Sequence, residues 1–227
     1  MKVLISLCLI WIIVPIIDCR FFDSDYSVKA FRQHKLFTDT TSEQLTKDLI
    51  IYHQVIRDYH NLDPLVHSSV LESYARHRAI LISYWDQDAY PISDSLHVGE
   101  NVWFQPNETL TNATTVIRGW YYQQLTNYNY SEPKITPRNQ NFAQIVWKET
   151  TQLGCGQVYS SRSVSDPNKS GTYTVCHYFK AGLTPSQESI NIPPPQSITP
   201  LTVNPRNLET IIEGMVKNLI NDKSNQI

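Results

Sequence analysis

The stretch at residues 141–156, NFAQIVWKETTQLGCG, constrains the fold of this chain more than any other part of the sequence. Residues 142–147 form a nearly continuous apolar block, and residues 148–152 form a polar shoulder after it. Residues 153–156 then look like the beginning of a strand, in which two glycines flank Cys155. Glycines on both sides of a cysteine indicate close backbone approach and a fixed crosslink rather than a reactive thiol.

Residues 1–19 have the pattern of a secretory signal peptide. Lys2 supplies a positive charge, residues 3–17 are mostly apolar, and Cys19 is small enough to precede a cleavage site. An uncleaved membrane anchor is the alternative, but the apolar run is shorter than the about 20 residues that span a bilayer. We therefore expect cleavage and secretion.

Cleavage of the signal peptide leaves two cysteines in the mature chain. Cleavage removes Cys8 and Cys19 and leaves Cys155 and Cys176. An even, minimal count in an oxidising compartment predicts one disulfide. A metal site or a catalytic thiol is the alternative, although the two cysteines do not have CxxC spacing.

Surface chemistry also fits a secreted protein. The net charge is −2, and no cluster of lysine and arginine is present, so the sequence gives no reason to expect a nucleic-acid partner. Four Asn-x-Ser/Thr sequons are candidate glycosylation sites, at Asn107, Asn112, Asn129 and Asn168.

Apolar periodicity predicts three helices and two antiparallel strands in the central part of the chain. The first helix begins at a capping box of Thr41 and Gln44, and it contains His53, for which we expect a packing or hydrogen-bonding role. The second helix contains alanines at positions 75 and 79, which allow close approach to a sheet, and the third begins near residue 111 or 112. Strands are predicted at residues 153–159 and 172–179.

Four motifs in the same order resemble those of the CAP superfamily, which comprises cysteine-rich secretory proteins, antigen 5 and pathogenesis-related one proteins. Residues 53–57 resemble its HNxxR motif, residues 99–102 its GENV motif, and residues 175–178 its second signature. The first signature, GHFTQ-aliphatic-aliphatic-W-x-x-[ST], is matched at Phe142, Gln144, Ile145, Val146, Trp147 and Thr150. It departs from the family at Gln140, Asn141 and Ala143, and the second signature departs at Leu183.

The resemblance implies an α+β fold, a three-layer α-β-α sandwich over residues 41–183, with a bridge between Cys155 and Cys176. Within this superfamily the chain resembles the secreted venom-allergen-like proteins. The remaining segments are a signal peptide at 1–19, an N-terminal arm at 20–40, a Pro-rich linker at 184–206 and an amphipathic helix at 207–222. That helix packs back on its own domain or docks on another chain; the sequence leaves both open.

The resemblance also implies a cavity in which two histidines and two acidic residues hold zinc or calcium. Glu100 matches one of these acidic residues, whereas Gln123 and Asn141 replace a glutamate and a histidine. The remaining histidine aligns with Ala89 or Tyr90. One charged ligand is too few for a dedicated site, so we predict a degenerate cavity with no metal and no cofactor. No motif for a catalytic nucleophile is present, so we predict that the chain is not an enzyme; a metal-dependent hydrolase is the disfavoured alternative.

The leading functional hypothesis is a secreted binding module for a sterol or a fatty acid. The resemblance places the ligand at a loop that corresponds to residues 127–137, where Tyr128, Tyr130 and Ile135 are the candidate contacts. The same tyrosines could instead pack the loop onto the body of the protein. A second hypothesis is an effector that engages a host or receptor protein through its glycosylated loops and C-terminal helix. The sequence does not determine the ligand, the partner or the oligomeric state.

Overall fold

The computed structural model describes residues 37–85, 97–162, 168–195 and 205–224. The predicted signal peptide and most of the predicted N-terminal arm lie outside these residues. The elements, in chain order, are β1 (Phe37–Asp39), α1 (Glu43–Tyr59), β2 (Val66–His67), α2 (Ser69–Trp85), β3 (Gly99–Pro106), α3 (Ala113–Ile117), a π-helical turn (Arg118–Tyr122), α4 (Gln123–Leu125), α5 (Gln140–Ile145), β4 (Gln152–Ser160), β5 (Gly171–Phe179), α6 (Glu188–Asn191) and α7 (Pro205–Ser224).

The strands form one sheet of order β1-β4-β5-β3, and β2 adds to β4 in parallel while the other pairs are antiparallel. One face of the sheet is covered by α2. The other face is covered by α1, α3, the π-helical turn and α5, which share the larger hydrophobic core. The predicted three-layer α-β-α sandwich is confirmed.

Two glycines on β4 allow α2 to lie close against the sheet. A Cβ atom at Gly154 would come within 2.1 Å of the backbone nitrogen of Glu72, and one at Gly156 within 2.5 Å of that of Arg76. The facing residues of α2, Ala75 and Ala79, are completely buried. Small residues on both surfaces therefore set the close packing of helix on sheet that the alanines predict.

The start of α1 differs in detail from the predicted capping box. The N-cap is Ser42, whose hydroxyl accepts a hydrogen bond from the backbone N–H of Leu45 at 3.0 Å. The hydroxyl of Thr41 instead bonds the backbone of Gln157 on β4. Because Thr41 hydrogen-bonds to the sheet, the next hydroxyl residue, Ser42, caps the helix.

A disulfide joins Cys155 on β4 to Cys176 on β5, where the two residues are direct partners in the strand register. The sequence separation is 21 residues. Restriction of the unfolded chain by a loop of this size stabilises the fold by about 3 kcal/mol. We expect the double change of both cysteines to alanine to lower the free energy of unfolding in urea by at least about that amount. Two free thiols per chain in denatured, unreduced protein would contradict the bridge.

The segment predicted as a linker is packed on the domain over its described part. It contains α6, and Asn191 and Ile192 are buried. The side-chain oxygen of Asn191 accepts a hydrogen bond from the backbone of Glu149, and its carbonyl accepts one from the backbone of Lys148. Residues 184–195 are thus not an extended spacer, because one buried asparagine ties them to the turn before β4. Residues 196–204 lie outside the described residues.

The C-terminal helix α7 begins at Pro205, two residues earlier than the predicted boundary, and packs on its own domain. Ile212 and Val216 are buried in the same core as α1 and the π-helical turn, whereas Met215 is 40% exposed. Arg118, on the π-helical turn, forms an ion pair with Glu209 of α7. Of the two arrangements that the sequence leaves open, the structure has the helix packed back.

Candidate functional site

The carboxylate of Glu100 lies between two basic side chains on the α2 side of the sheet. Nε of Arg78 donates to one carboxylate oxygen at 2.8 Å, and Nη2 donates to the other at 3.2 Å. His177 is the strand partner of Glu100, and its Nε2 lies 3.1 Å from the carboxylate. Burial opposes ionisation of Glu100, but the hydrogen bonds from His177 and Arg78 outweigh it and lower the pKa of the carboxyl. Glu100 is therefore a paired anion.

The next residue, Asn101, points to the opposite face, because side chains alternate along a strand. Its amide nitrogen donates to the carbonyl of Asn141 at 3.0 Å and to the hydroxyl of Tyr178 at 3.1 Å. Asn141 therefore enters the site through its backbone. Glu100 and Asn141 therefore form their hydrogen bonds on opposite faces of the sheet.

Tyr178 continues this network to His53 of α1. Nδ1 of His53 lies 2.7 Å from the carbonyl of Leu49, and a carbonyl can only accept, so Nδ1 carries the proton. Nε2 then accepts from the hydroxyl of Tyr178 at 2.9 Å. Burial lowers the pKa of His53 to about 4. Both nitrogens are thus engaged, and the histidine has the hydrogen-bonding role that the sequence predicts.

Gln123 does not lie at the site. Its side chain is exposed, and it is Gln124 whose side-chain oxygen accepts from the backbone N–H of Asn141 at 2.9 Å, at the start of α5. The reason is the π-helical turn at Arg118–Tyr122, which takes one residue more than an α-helical turn and rotates every later residue around the helix. The placement of Gln123 in the cavity is therefore corrected to Gln124.

The described residues do not fit a metal ion. No group of three histidine, cysteine, aspartate or glutamate side chains within residues 37–85, 97–162, 168–195 and 205–224 is arranged to hold one. Both oxygens of Glu100 are already bonded to Arg78. His97, which could substitute as a ligand by sequence position, is exposed and has a positive φ of 47°. Ala89 and Tyr90 lie outside the described residues.

Arg78 is one of the site residues that sequence reasoning missed, together with Asn101, His177 and Tyr178. Arg78 lies on the sheet-facing side of α2, and only 8% of its surface is exposed. Its spacing of three and four residues from Ala75 and Ile82 places it in the apolar stripe of the helix. A charged residue in an apolar stripe indicates a buried partner of opposite charge, and this signal could have identified the residue.

The loop at residues 127–137, hereafter the tyrosine loop, is folded down on the core. The ring of Tyr128 lies 4.9 Å from that of Tyr130 and 5.5 Å from that of Phe142. Ile135 is half-buried against the same core. The buried Asn139 closes the loop, because its amide donates to the carbonyls of residues 127 and 134 at 3.1 and 3.0 Å. In this conformation the three candidate contacts pack the loop onto the body.

The hydroxyls of both loop tyrosines are nevertheless unsatisfied. In the part of the chain that the structure describes, the oxygens of Tyr128 and Tyr130 are buried and have no hydrogen-bond partner. Burial raises the pKa of Tyr128 to about 12 and also raises that of Tyr130. These phenols therefore remain neutral donors enclosed by aromatic rings.

A second buried histidine, His60, links the end of α1 to the segment after α6. Its Nδ1 donates to the carbonyl of Pro193 at 2.7 Å, and its Nε2 accepts from the hydroxyl of Tyr121 at 2.8 Å. Burial lowers the pKa of His60 to about 4. Neither His53 nor His60 has a free nitrogen with which to act as a general base.

All four sequon asparagines are on the surface. Asn112 caps α3 with its side-chain oxygen, which leaves the amide nitrogen available for a glycan. Among the described residues, no helix is both long and apolar enough to cross a membrane.

Comparison with known proteins gives consistent matches over the domain. The profile of the cysteine-rich secretory protein family, CAP, matches residues 50–178. Protein PRY2 of Saccharomyces cerevisiae is 30% identical over 131 residues, which are 57% of this chain and 35% of PRY2. The human Golgi-associated plant pathogenesis-related protein 1 is 28% identical over 145 residues, 63% of this chain and 87% of that protein.

Among solved structures, one of NaASP2 with Zn²⁺ is similar, with a TM-score of 0.51 and 16% identity over 68% of this chain and 88% of that one. This similarity supports the fold. The chain spans only about a third of the length of PRY2, so the remainder of that protein has no counterpart in the match.

Proposed function

The chain belongs to the cysteine-rich secretory protein (CAP) family, and on that premise we propose that it is a secreted, non-enzymatic binding module for a sterol or a fatty acid. Proteins of this family are generally not enzymes. Secretion rests on the predicted signal peptide, residues 1–19, which lies outside the described residues. The proposed ligand site is the tyrosine loop, where Tyr128 and Tyr130 lie against Phe142.

The observation that carries this proposal is the pair of unsatisfied hydroxyls on Tyr128 and Tyr130. A buried polar group without a partner costs about 1–3 kcal/mol, which a ligand that supplies a hydrogen bond would recover. The surrounding rings of Tyr128, Tyr130 and Phe142 are an apolar lining. A flat apolar molecule with one hydroxyl therefore matches the site.

Charge favours a sterol over a fatty acid. Burial is the main cause of the raised pKa of Tyr128, and the charge of Glu188 raises it further, so this carboxylate lies near the phenol. A fatty-acid carboxylate would be repelled there, whereas the hydroxyl of a sterol is neutral. We therefore expect tighter binding of cholesterol than of palmitate.

The absence of catalysis is supported by the state of the titratable groups at the site. Glu100 is held in an ion pair with Arg78, and His53 and His60 use both ring nitrogens in hydrogen bonds. His177 uses Nε2 on Glu100, and its Nδ1, which has no hydrogen-bond partner among the described residues, is buried away from solvent. A general base needs a free lone pair within reach of substrate.

The effector alternative has less support. Its docking element, the apolar face of α7, contributes Ile212 and Val216 to the core of its own domain. The helix face that such a partner would use is therefore occupied within the chain, whereas the loops that carry the sequons lie on the surface.

We expect Tyr128→Phe and Tyr130→Phe each to weaken cholesterol binding by about fivefold, the value of a hydrogen bond worth about 1 kcal/mol. Labelled cholesterol and palmitate are titrated against protein purified from the medium of cells that express the full chain. Tyr52→Phe is the matched control, because the hydroxyl of Tyr52 bonds Thr114, away from the loop. Wild-type protein that binds neither lipid, or loop variants that bind as tightly as wild type, would contradict the proposal.

A further inference from the structure

The pairing of Glu100 determines what this site can bind. A guanidinium that donates to both oxygens of a carboxylate occupies the positions from which the carboxylate would coordinate a cation. The side chains are 9% exposed for Arg78 and 12% exposed for Glu100. The pair is thus largely removed from water. The attraction between its two charges is therefore screened less than that of an ion pair at the surface.

His177, the third member of the cluster, also has a side chain of a type that binds metal ions. The imidazole of His177 lies 3.1 Å from Glu100, and its Nδ1 is buried without a hydrogen-bond partner in the described residues. Carboxylate and imidazole are among the groups that bind Zn²⁺ in proteins. The chemistry of a partial metal site is therefore present, but a fixed positive charge already fills it.

We propose that Arg78 is a built-in counter-cation for Glu100, which takes the place of a divalent ion and closes this site to metal. A zinc ion that approached Glu100 would have to displace two hydrogen bonds and then lie beside the displaced guanidinium. The inference concerns the cation chemistry of the α2 face of the sheet and does not depend on the lipid site at the tyrosine loop.

The proposal predicts that Arg78→Ser opens the site. Loss of the guanidinium frees both oxygens of Glu100, and water completes the coordination shell around Glu100 and His177. We expect Arg78→Ser to bind Zn²⁺ at least tenfold more tightly than the wild-type chain. The double variant Arg78→Ser/Glu100→Gln is expected to lose that gain, because the carboxylate is gone.

Arg76→Ser is the matched control. Arg76 lies two positions away on the same helix and forms its ion pairs with Glu72 and Asp39 at the half-exposed surface. This change removes the same charge and the same side chain from α2, and we expect no change in zinc affinity.

Arg78→Ser leaves a buried carboxylate without its partner, so the variant requires a readout that does not presuppose folding. We would refold Arg78→Ser from urea with and without ZnCl₂, beside Arg78→Ser/Glu100→Gln, which carries no unpaired charge. Zinc-dependent recovery of Arg78→Ser, with zinc-independent folding of the double variant, supports the proposal. Failure of zinc to restore an unfolded Arg78→Ser overturns it.

The deciding experiment is calorimetric titration of ZnCl₂ into untagged wild-type, Glu100→Gln, Arg78→Ser, Arg78→Ser/Glu100→Gln and Arg76→Ser proteins. The expected result is a tenfold or greater gain confined to Arg78→Ser. Wild-type binding that is abolished by Glu100→Gln would overturn the proposal, because Arg78 would then not exclude the metal. A folded Arg78→Ser with wild-type zinc affinity would overturn it equally.

Discussion

Replacing Arg57 by methionine is expected to lower the free energy of unfolding by about 4 kcal/mol or more. Arg57 is completely buried in α1, and among the described residues its guanidinium donates to four backbone carbonyls, those of Asp63, Ile145, Trp147 and Thr150, at 2.7, 3.0, 2.8 and 3.1 Å. Burial lowers the pKa of Arg57 to about 10, so the side chain remains charged at neutral pH. Each buried carbonyl that loses its donor costs about 1–3 kcal/mol.

Urea unfolding of Arg57→Met measures this effect. The free energy of unfolding of Arg57→Lys should lie between those of wild type and Arg57→Met. An ammonium has fewer donors than a guanidinium and cannot reach all four carbonyls. Arg76→Met is the control, since its half-exposed ion pairs are worth less than about 1 kcal/mol. A loss below 1 kcal/mol for Arg57→Met would show that the carbonyls find other donors.

Acidification is expected to destabilise the protein well above the ordinary range of carboxyl titration. The pKa of His53 and of His60 falls from 6.5 to about 4 on folding, chiefly through burial. Between pH 6.5 and about 4, these two histidines are therefore protonated in the unfolded chain but neutral in the folded chain. The stability that depends on neutral His53 and His60 is fully present above pH 6.5 and is lost as the pH falls towards 4. Between pH 7 and pH 5 we expect a loss of about 2 kcal/mol for each histidine.

Urea unfolding at pH 7 and pH 5 tests this loss. The double variant His53→Gln/His60→Gln should have a lower stability at pH 7 and should lose about 4 kcal/mol less on acidification than wild type. His67→Gln, at a side chain that is 40% exposed, should keep the wild-type dependence on pH. Equal losses in wild type and the double variant would assign the acid sensitivity to other groups.

Local patterns predict most of the domain. The apolar period of α1, the small residues of α2 and the strands around Cys155 and Cys176 each depend on neighbours close in sequence or on side-chain size. The order of four motifs adds the family resemblance, which implies the three-layer arrangement. One motif lies on α1, two lie on the paired strands β3 and β5, and the fourth covers α5 and the turn after it. These features are redundant, so single departures such as Asn141 do not change the fold.

The side chains of the site are less predictable because they depend on rotation and on distant contacts. One extra residue in the turn at Arg118–Tyr122 exchanges Gln123 for Gln124. Arg78 and Glu100 are separated by 22 residues, and only the packing of α2 on the sheet brings them together. The anchoring of residues 184–195 depends on Asn191, whose partners lie before β4.

The central claim is that the tyrosine loop is a site for a hydroxyl-bearing lipid. This claim predicts opposite effects of the double change Tyr128→Phe/Tyr130→Phe on the melting temperature without and with ligand. Without ligand, removal of two unsatisfied buried hydroxyls should leave the melting temperature equal to or above that of wild type. With cholesterol, wild type should gain more, because only it can form the new hydrogen bonds.

Thermal melting of both proteins with and without cholesterol, delivered from cyclodextrin, tests this claim most directly. A ligand at a hundred times its dissociation constant stabilises the folded state by about 2.7 kcal/mol, which is measurable as a shift in melting temperature. We predict a larger cholesterol-induced shift for wild type than for the double variant. Equal shifts in the two proteins, or no shift in wild type, would contradict the account.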